Sequence, residues 1–67
     1  MTPAPALIAA RSLIPLTGLE LRIALREAID SGDAARVSAV VGSAEGRRQL
    51  GEYAVWWLAE FGEAEAA

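Results

Sequence analysis

Hydrophobic and polar positions follow a helical period over most of this chain, most clearly near its C-terminus. There, apolar side chains recur at intervals of three and four residues, which places them on one face of a helix. This stripe consists of Leu50, Tyr53, Ala54, Trp57, Leu58 and Phe61. The pattern predicts one amphipathic helix over residues 44–61. Trp57 lies at the centre of the stripe and is therefore expected in the core.

Two further helices are predicted from the residues that start and stop them. The first covers residues 18–31, because Thr17 and Glu20 have the spacing of a capping box. Gly32 follows it and is the residue type that most often ends a helix in a left-handed conformation. The second helix covers residues 34–41.

These elements define an all-α fold class. Asp33 and Ser43 are suitable N-caps for the second and third helices. We therefore predict a small three-helix bundle, in which an orthogonal helix pair packs with the C-terminal amphipathic helix. The expected core consists of Leu21, Leu25, Ile29, Val37, Val40, Val41, Leu50, Trp57, Leu58 and Phe61.

The N-terminal residues 1–16 form a separate, proline-containing segment in this interpretation. Proline removes a backbone donor and disfavours helix at the residue before it, and the apolar residues here give no single face. The segment is predicted to be either a flexible or partner-bound arm or a packed helix. The helical domain then covers residues 17–62. Residues 63–67 form an acidic tail that should fray, because negative charge opposes the dipole at a helix C-terminus.

The helix at 18–31 carries apolar residues on two sides. Leu19 and Ile23 fall outside its main apolar face, beside polar residues, and need a cover that the N-terminal arm could supply. Arg22 and Arg26 lie one turn apart and repel each other mildly. Contact between these arginines and glutamates of another subunit would relieve that repulsion.

Trp56 is the most informative candidate for a binding residue. Neighbours on a helix point about 100° apart, so Trp56 lies off the core stripe, between Glu52 and Glu60. It could lie flat on a neighbouring element, or it could contact another protein, since tryptophan is enriched at binding hot spots. The predicted protein-interaction residues are Trp56, Glu52, Glu60, Arg22, Arg26, Leu19 and Ile23.

Composition limits how such a chain can be stabilised. It has 67 residues, of which 54% are hydrophobic, and it contains no cysteine and no histidine. Disulfides are therefore impossible, the usual zinc ligands are missing, and we expect no catalytic residue, metal or cofactor. Because small domains often need a supplement to their core, we expect a protein partner or a homo-oligomer.

The stretch AIDSGDAARVSAVV resembles the helix pair of an ankyrin repeat. The family's alanine, turn glycine and following apolar positions are matched by Ala28, Gly32, Val37, Val40 and Val41. The threonine–proline–leucine–histidine opening and the β-hairpin finger of the repeat are missing. The resemblance therefore implies a generic antiparallel pair of helices, not membership of the family.

The leading functional hypothesis is a small non-enzymatic protein-interaction module. Its size and its arginine-only basic residues suit a bacterial or phage accessory protein: an inhibitor, antitoxin, adaptor or assembly component. The alternative is a dimeric DNA-binding regulator with a degenerate helix-turn-helix. Against that alternative, the net charge is −3 and the second helix of the pair offers only Arg36 for a phosphate.

A membrane-surface peptide and an enzyme are the weaker hypotheses. No transmembrane span is predicted, and we expect the protein in the cytoplasm or within a larger assembly.

Overall fold

The computed structural model describes residues 4–62 of the chain. Its α-helices are α1 (Pro5–Arg11), α2 (Leu19–Asp30), α3 (Ala34–Val41), α4 (Ala44–Leu50) and α5 (Glu52–Trp57). A 3₁₀ turn (Ile14–Leu16) joins α1 to α2, and a π-helical C-terminal turn (Leu58–Gly62) follows α5. The described part of the chain contains no strand, so the all-α fold class is confirmed. The acidic tail predicted at residues 63–67 lies outside it.

The N-terminal segment belongs to the packed structure. Pro5 occupies the start of α1, where its missing N–H costs no hydrogen bond. Ala10 and Leu13 are fully buried in the same hydrophobic cluster as the later helices. The indole Nε1 of Trp57 donates a hydrogen bond to the Ala6 carbonyl oxygen at 3.2 Å. The core therefore crosses the boundary that the sequence analysis placed after residue 16.

The start of α2 differs from the predicted capping box. Gly18, not Thr17, is the N-cap residue, and no side chain caps the helix from that position. The Thr17 hydroxyl instead donates to the Ile14 carbonyl oxygen at 2.7 Å. The backbone N–H of Gly18 donates to Oε1 of Gln49 at 2.6 Å. Gln49 of α4 thus satisfies the N-cap amide.

The predicted bounds of α3 and the predicted start of α4 are confirmed. The Asp33 carboxylate caps α3 by accepting from the N–H of Ala35 at 2.9 Å. The Ser43 hydroxyl caps α4 by accepting from the N–H of Gly46 at 3.0 Å. Gly32, between α2 and α3, has a φ of 73°, which is the left-handed conformation that glycine adopts without steric cost.

The predicted long C-terminal helix is broken in two at Gly51. This residue has φ 56° and ψ −122°, a conformation that side chains with a Cβ rarely adopt. The break reorients α5 relative to α4, so Leu50 and Tyr53 no longer share one face. Leu50 is buried, whereas Tyr53, which the periodic stripe placed towards the core, is 56% exposed.

The core lies where the helices meet. Helix α2 packs on α3, α1 packs on α2, α3 and α5, and the C-terminal turn packs on α3. Of the predicted core residues, Val40, Leu58 and Phe61 are only partly buried at its edge. The others are buried as predicted: Leu21, Leu25, Ile29, Val37, Val41, Leu50 and Trp57. No helix among the described residues has both the length and the apolar character needed to cross a membrane.

Helix α4 approaches the end of α3 closely at Gly46. A Cβ at this position would overlap the carbonyl oxygen of Val40 and lie 2.6 Å from that of Val41. We therefore expect Gly46→Ala to destabilise the fold by about 1–3 kcal/mol, the range for overpacking a close contact. At an exposed position inside a helix, the same substitution usually stabilises the helix by about 1 kcal/mol. The effect expected at Gly46 therefore has the opposite sign. A chemical denaturation curve measures the difference, and a Gly46→Ala protein as stable as the parent would contradict the contact.

Candidate functional site

An open groove of about 650 Å³ separates the end of α1 and the 3₁₀ turn from α5. We call it the Trp56 groove. It is lined by Ser12, Leu13, Leu16, Glu52, Tyr53 and Trp56. It brings together two of the predicted interaction residues, Trp56 and Glu52. The other lining residues were not among them.

The two adjacent tryptophans of α5 have separate roles. Trp57 is fully buried, whereas Trp56 is 46% exposed and lines the groove. The ring of Trp56 meets the ring of Phe61 edge to face, with centroids 6.0 Å apart. Phe61 in turn packs against Trp57, with centroids 5.3 Å apart. Because aromatic pairs of this geometry stabilise one another, Trp56 is held in place by a residue that contacts the core.

The opposite wall of the groove comes from the N-terminal segment. Leu13 is buried at its base, and Leu16, in the 3₁₀ turn, is 45% exposed. Pro15 fixes the start of this turn, and the N–H of Leu16 donates to the Leu13 carbonyl oxygen at 3.0 Å. Proline at the start of a short helix was the signal in the sequence that could have predicted this turn.

Glu52 is the one charged side chain that lines the groove, and Glu60 is exposed in the C-terminal turn outside that lining. Within residues 4–62 the only ion pair lies elsewhere, between Glu45 and Arg48 of α4. Hydrogen bonds from Arg48, and then from Gln49, lower the pKa of Glu45 to about 2. Glu52 and Glu60 therefore make no ion pair with a described basic residue.

A second surface carries the remaining predicted residues. Leu19, Arg22, Ile23 and Arg26 are all exposed on α2 and form what we call the α2 outer face. The N-terminal segment was one possible cover for Leu19 and Ile23, but these side chains remain 70% and 51% exposed. Arg22 Nη2 donates to the Thr17 carbonyl oxygen at 3.1 Å, which fixes this arginine near the start of the helix.

A smaller cleft of about 190 Å³ lies at one edge of the α2 outer face. It is lined by Arg11, Ile14, Arg26, Ile29 and Asp30. Arg26 and Asp30 lie four residues apart but form no ion pair, since the one ion pair in the described chain joins other residues. The guanidinium of Arg26 therefore remains available to an outside acceptor.

The predicted interaction residues that line the groove or lie on α2 thus occupy two separate surfaces. The Trp56 groove offers an apolar concavity with a carboxylate, and the α2 outer face offers apolar side chains with two guanidinium groups. Groups of these kinds recognise another side chain by shape and charge. In comparisons with known proteins, no family model, no curated protein and no solved structure matches this chain.

Proposed function

We propose that this protein is a small non-enzymatic interaction module that binds another polypeptide through the Trp56 groove. The observation that carries the proposal is the half-exposed ring of Trp56 at the edge of an apolar concavity. The proposed setting is the cytoplasm or a larger assembly, where a bacterial or phage accessory protein acts as an inhibitor, antitoxin, adaptor or assembly component.

The immobilised ring supports this proposal energetically. A flexible side chain loses rotamer freedom when it binds, at a cost of about 0.5–1.5 kcal/mol. Trp56 already packs on Phe61, so part of that ordering has taken place before a partner arrives. Tyr53 and Leu16 add exposed apolar area on either side of it. A rigid aromatic anchor surrounded by apolar area is the usual composition of a binding hot spot.

We expect Trp56→Ala to lose partner binding while it keeps the fold. A hot-spot residue contributes about 2 kcal/mol or more, which corresponds to a loss of affinity of roughly 30-fold. The measurement is affinity capture from a lysate of the native host, with mass spectrometry of the bound proteins and quantitative binding of those identified. A thermal melt followed by circular dichroism verifies that the variant is folded.

Val55 provides the matched control for this experiment. It precedes Trp56 on the same helix and is 64% exposed, but it does not line the groove. Val55→Ala should therefore capture the same proteins as the parent chain. If the two alanine variants capture the same proteins with the same affinity, the Trp56 groove is not the binding surface and the proposal fails.

A further inference from the structure

We propose that the occupant of the Trp56 groove is a second copy of this chain, which inserts its α2 outer face. The inference rests on the proposed function and names the partner for that same site. It is carried by two complementary surfaces on one molecule: an apolar groove lined by Glu52, and an apolar helix face that carries Arg22 and Arg26.

The α2 outer face has the residue spacing of a helix that docks into a groove. Leu19, Arg22, Ile23 and Arg26 stand at positions i, i+3, i+4 and i+7, so they form one continuous strip along α2. Helices that bind in apolar grooves present their anchor residues at this spacing. The opposite face of α2 is buried in the core, so this strip is free to be inserted into another molecule.

Charge favours this pairing over a contact between two grooves. Apposed Trp56 grooves would bring the Glu52 carboxylates of both copies together, and like charges across an interface are unfavourable. The α2 outer face instead brings the guanidinium groups of Arg22 and Arg26 to a groove lined by Glu52. Asp30 stands four residues beyond Arg26 on the same strip, and Glu20 and Glu27 are also exposed on α2, so the basic groups act on the groove from the first two turns of the helix.

The position of the two surfaces permits a closed dimer. Leu16 lines the groove and Leu19 begins the α2 outer face three residues later. Between them, the Thr17 carbonyl oxygen accepts a hydrogen bond from Arg22. Adjacent complementary surfaces can meet around one two-fold axis, where each copy both inserts its α2 and receives its partner's. The contact is then made twice in each dimer.

Charge reversal on each surface tests the proposal. The groove variant carries Glu52→Arg, and the α2 variant carries Arg22→Glu and Arg26→Glu. We expect the parent chain to sediment as a dimer whose dissociation constant rises with salt. Each variant alone should dimerise at least roughly tenfold more weakly, because like charges then face each other. An equimolar mixture should restore the dimer, since arginine of one copy meets glutamate of the other at one contact and the native pair forms at the second.

Control variants separate this interface from general effects of charge and folding. Arg36→Glu changes an exposed arginine on α3 and should leave dimerisation unchanged. If either charge-reversal variant fails to fold by circular dichroism, Trp56→Ala and Ile23→Ser remove one apolar contact from each surface, and both should yield monomers.

Each remaining result overturns the second-copy proposal. A parent chain that stays monomeric up to millimolar concentration excludes the dimer. Folded charge-reversal variants that dimerise as strongly as the parent chain, or an equimolar mixture of them that stays monomeric, exclude the proposed interface. If the second-copy proposal fails but Trp56→Ala still loses a partner that the parent chain captures, the groove binds a different protein and the proposed function stands. If capture is also unaffected, both proposals fail.

Discussion

Replacing Trp57 with alanine is expected to unfold the protein. Its ring is fully buried in the core, and its indole N–H donates to the Ala6 carbonyl oxygen. Truncating a buried tryptophan to alanine costs about 3–5 kcal/mol. A chain of this length has a total free energy of unfolding of only about 3–10 kcal/mol. Far-ultraviolet circular dichroism at increasing temperature should therefore show a much lower melting temperature or no cooperative transition.

Two companion variants identify the cause of that loss. Trp57→Phe keeps an aromatic ring but removes the N–H that bonds to Ala6, so its melting temperature should fall between those of the parent chain and Trp57→Ala. Trp56→Ala should melt close to the parent chain, because that ring is half exposed. Equal destabilisation by Trp56→Ala and Trp57→Ala would show that both rings contribute equally to the core, contrary to their observed burial.

The different roles of these neighbouring tryptophans were predictable because helical periodicity is a local property. The three- and four-residue spacing placed Trp57 on the core stripe and Trp56 outside it, as the structure has them. The caps by Asp33 and Ser43 were predictable for the same reason, since each side chain reaches an amide only two or three residues away. Local chemistry of this kind needs no knowledge of the tertiary fold.

The break in the C-terminal helix could not be predicted in this way. A glycine in a periodic stretch lowers helix stability, but it can still adopt ordinary helical angles. Nothing local indicated that Gly51 would take a positive φ. The exposure of Tyr53 follows from that break, so the periodic stripe placed this residue wrongly.

The opposite wall of the groove was missed because it depends on long-range packing. Ser12, Leu13 and Leu16 lie in a segment whose proline residues suggested an arm. That segment is placed by contacts with distant residues, such as the hydrogen bond between Trp57 and Ala6, which are 51 positions apart. The sequence therefore predicted the Trp56 side of the groove and not the wall that faces it.

Deleting residues 1–16 should lower the stability of the fold far more than the removal of a separate arm would. The deletion removes Ala10 and Leu13 from the core cluster and exposes the indole of Trp57. It also removes one wall of the Trp56 groove. We expect the truncated chain to lose its cooperative thermal transition and most of its helical signal. Retention of most helical signal, as a dispensable arm predicts, would show that α1 contributes little stability.

Point substitutions in the same segment test its contribution to core packing without shortening the chain. Leu13 is buried and Ile8 is 53% exposed, so the two aliphatic residues provide a matched pair. Leu13→Ala should cost about 2–5 kcal/mol, the range for a large aliphatic residue in a core. Ile8→Ala should change stability by no more than about 0.5 kcal/mol. Urea denaturation of the two full-length variants measures both values, and a Leu13→Ala protein as stable as Ile8→Ala would contradict the placement of the N-terminal segment in the core.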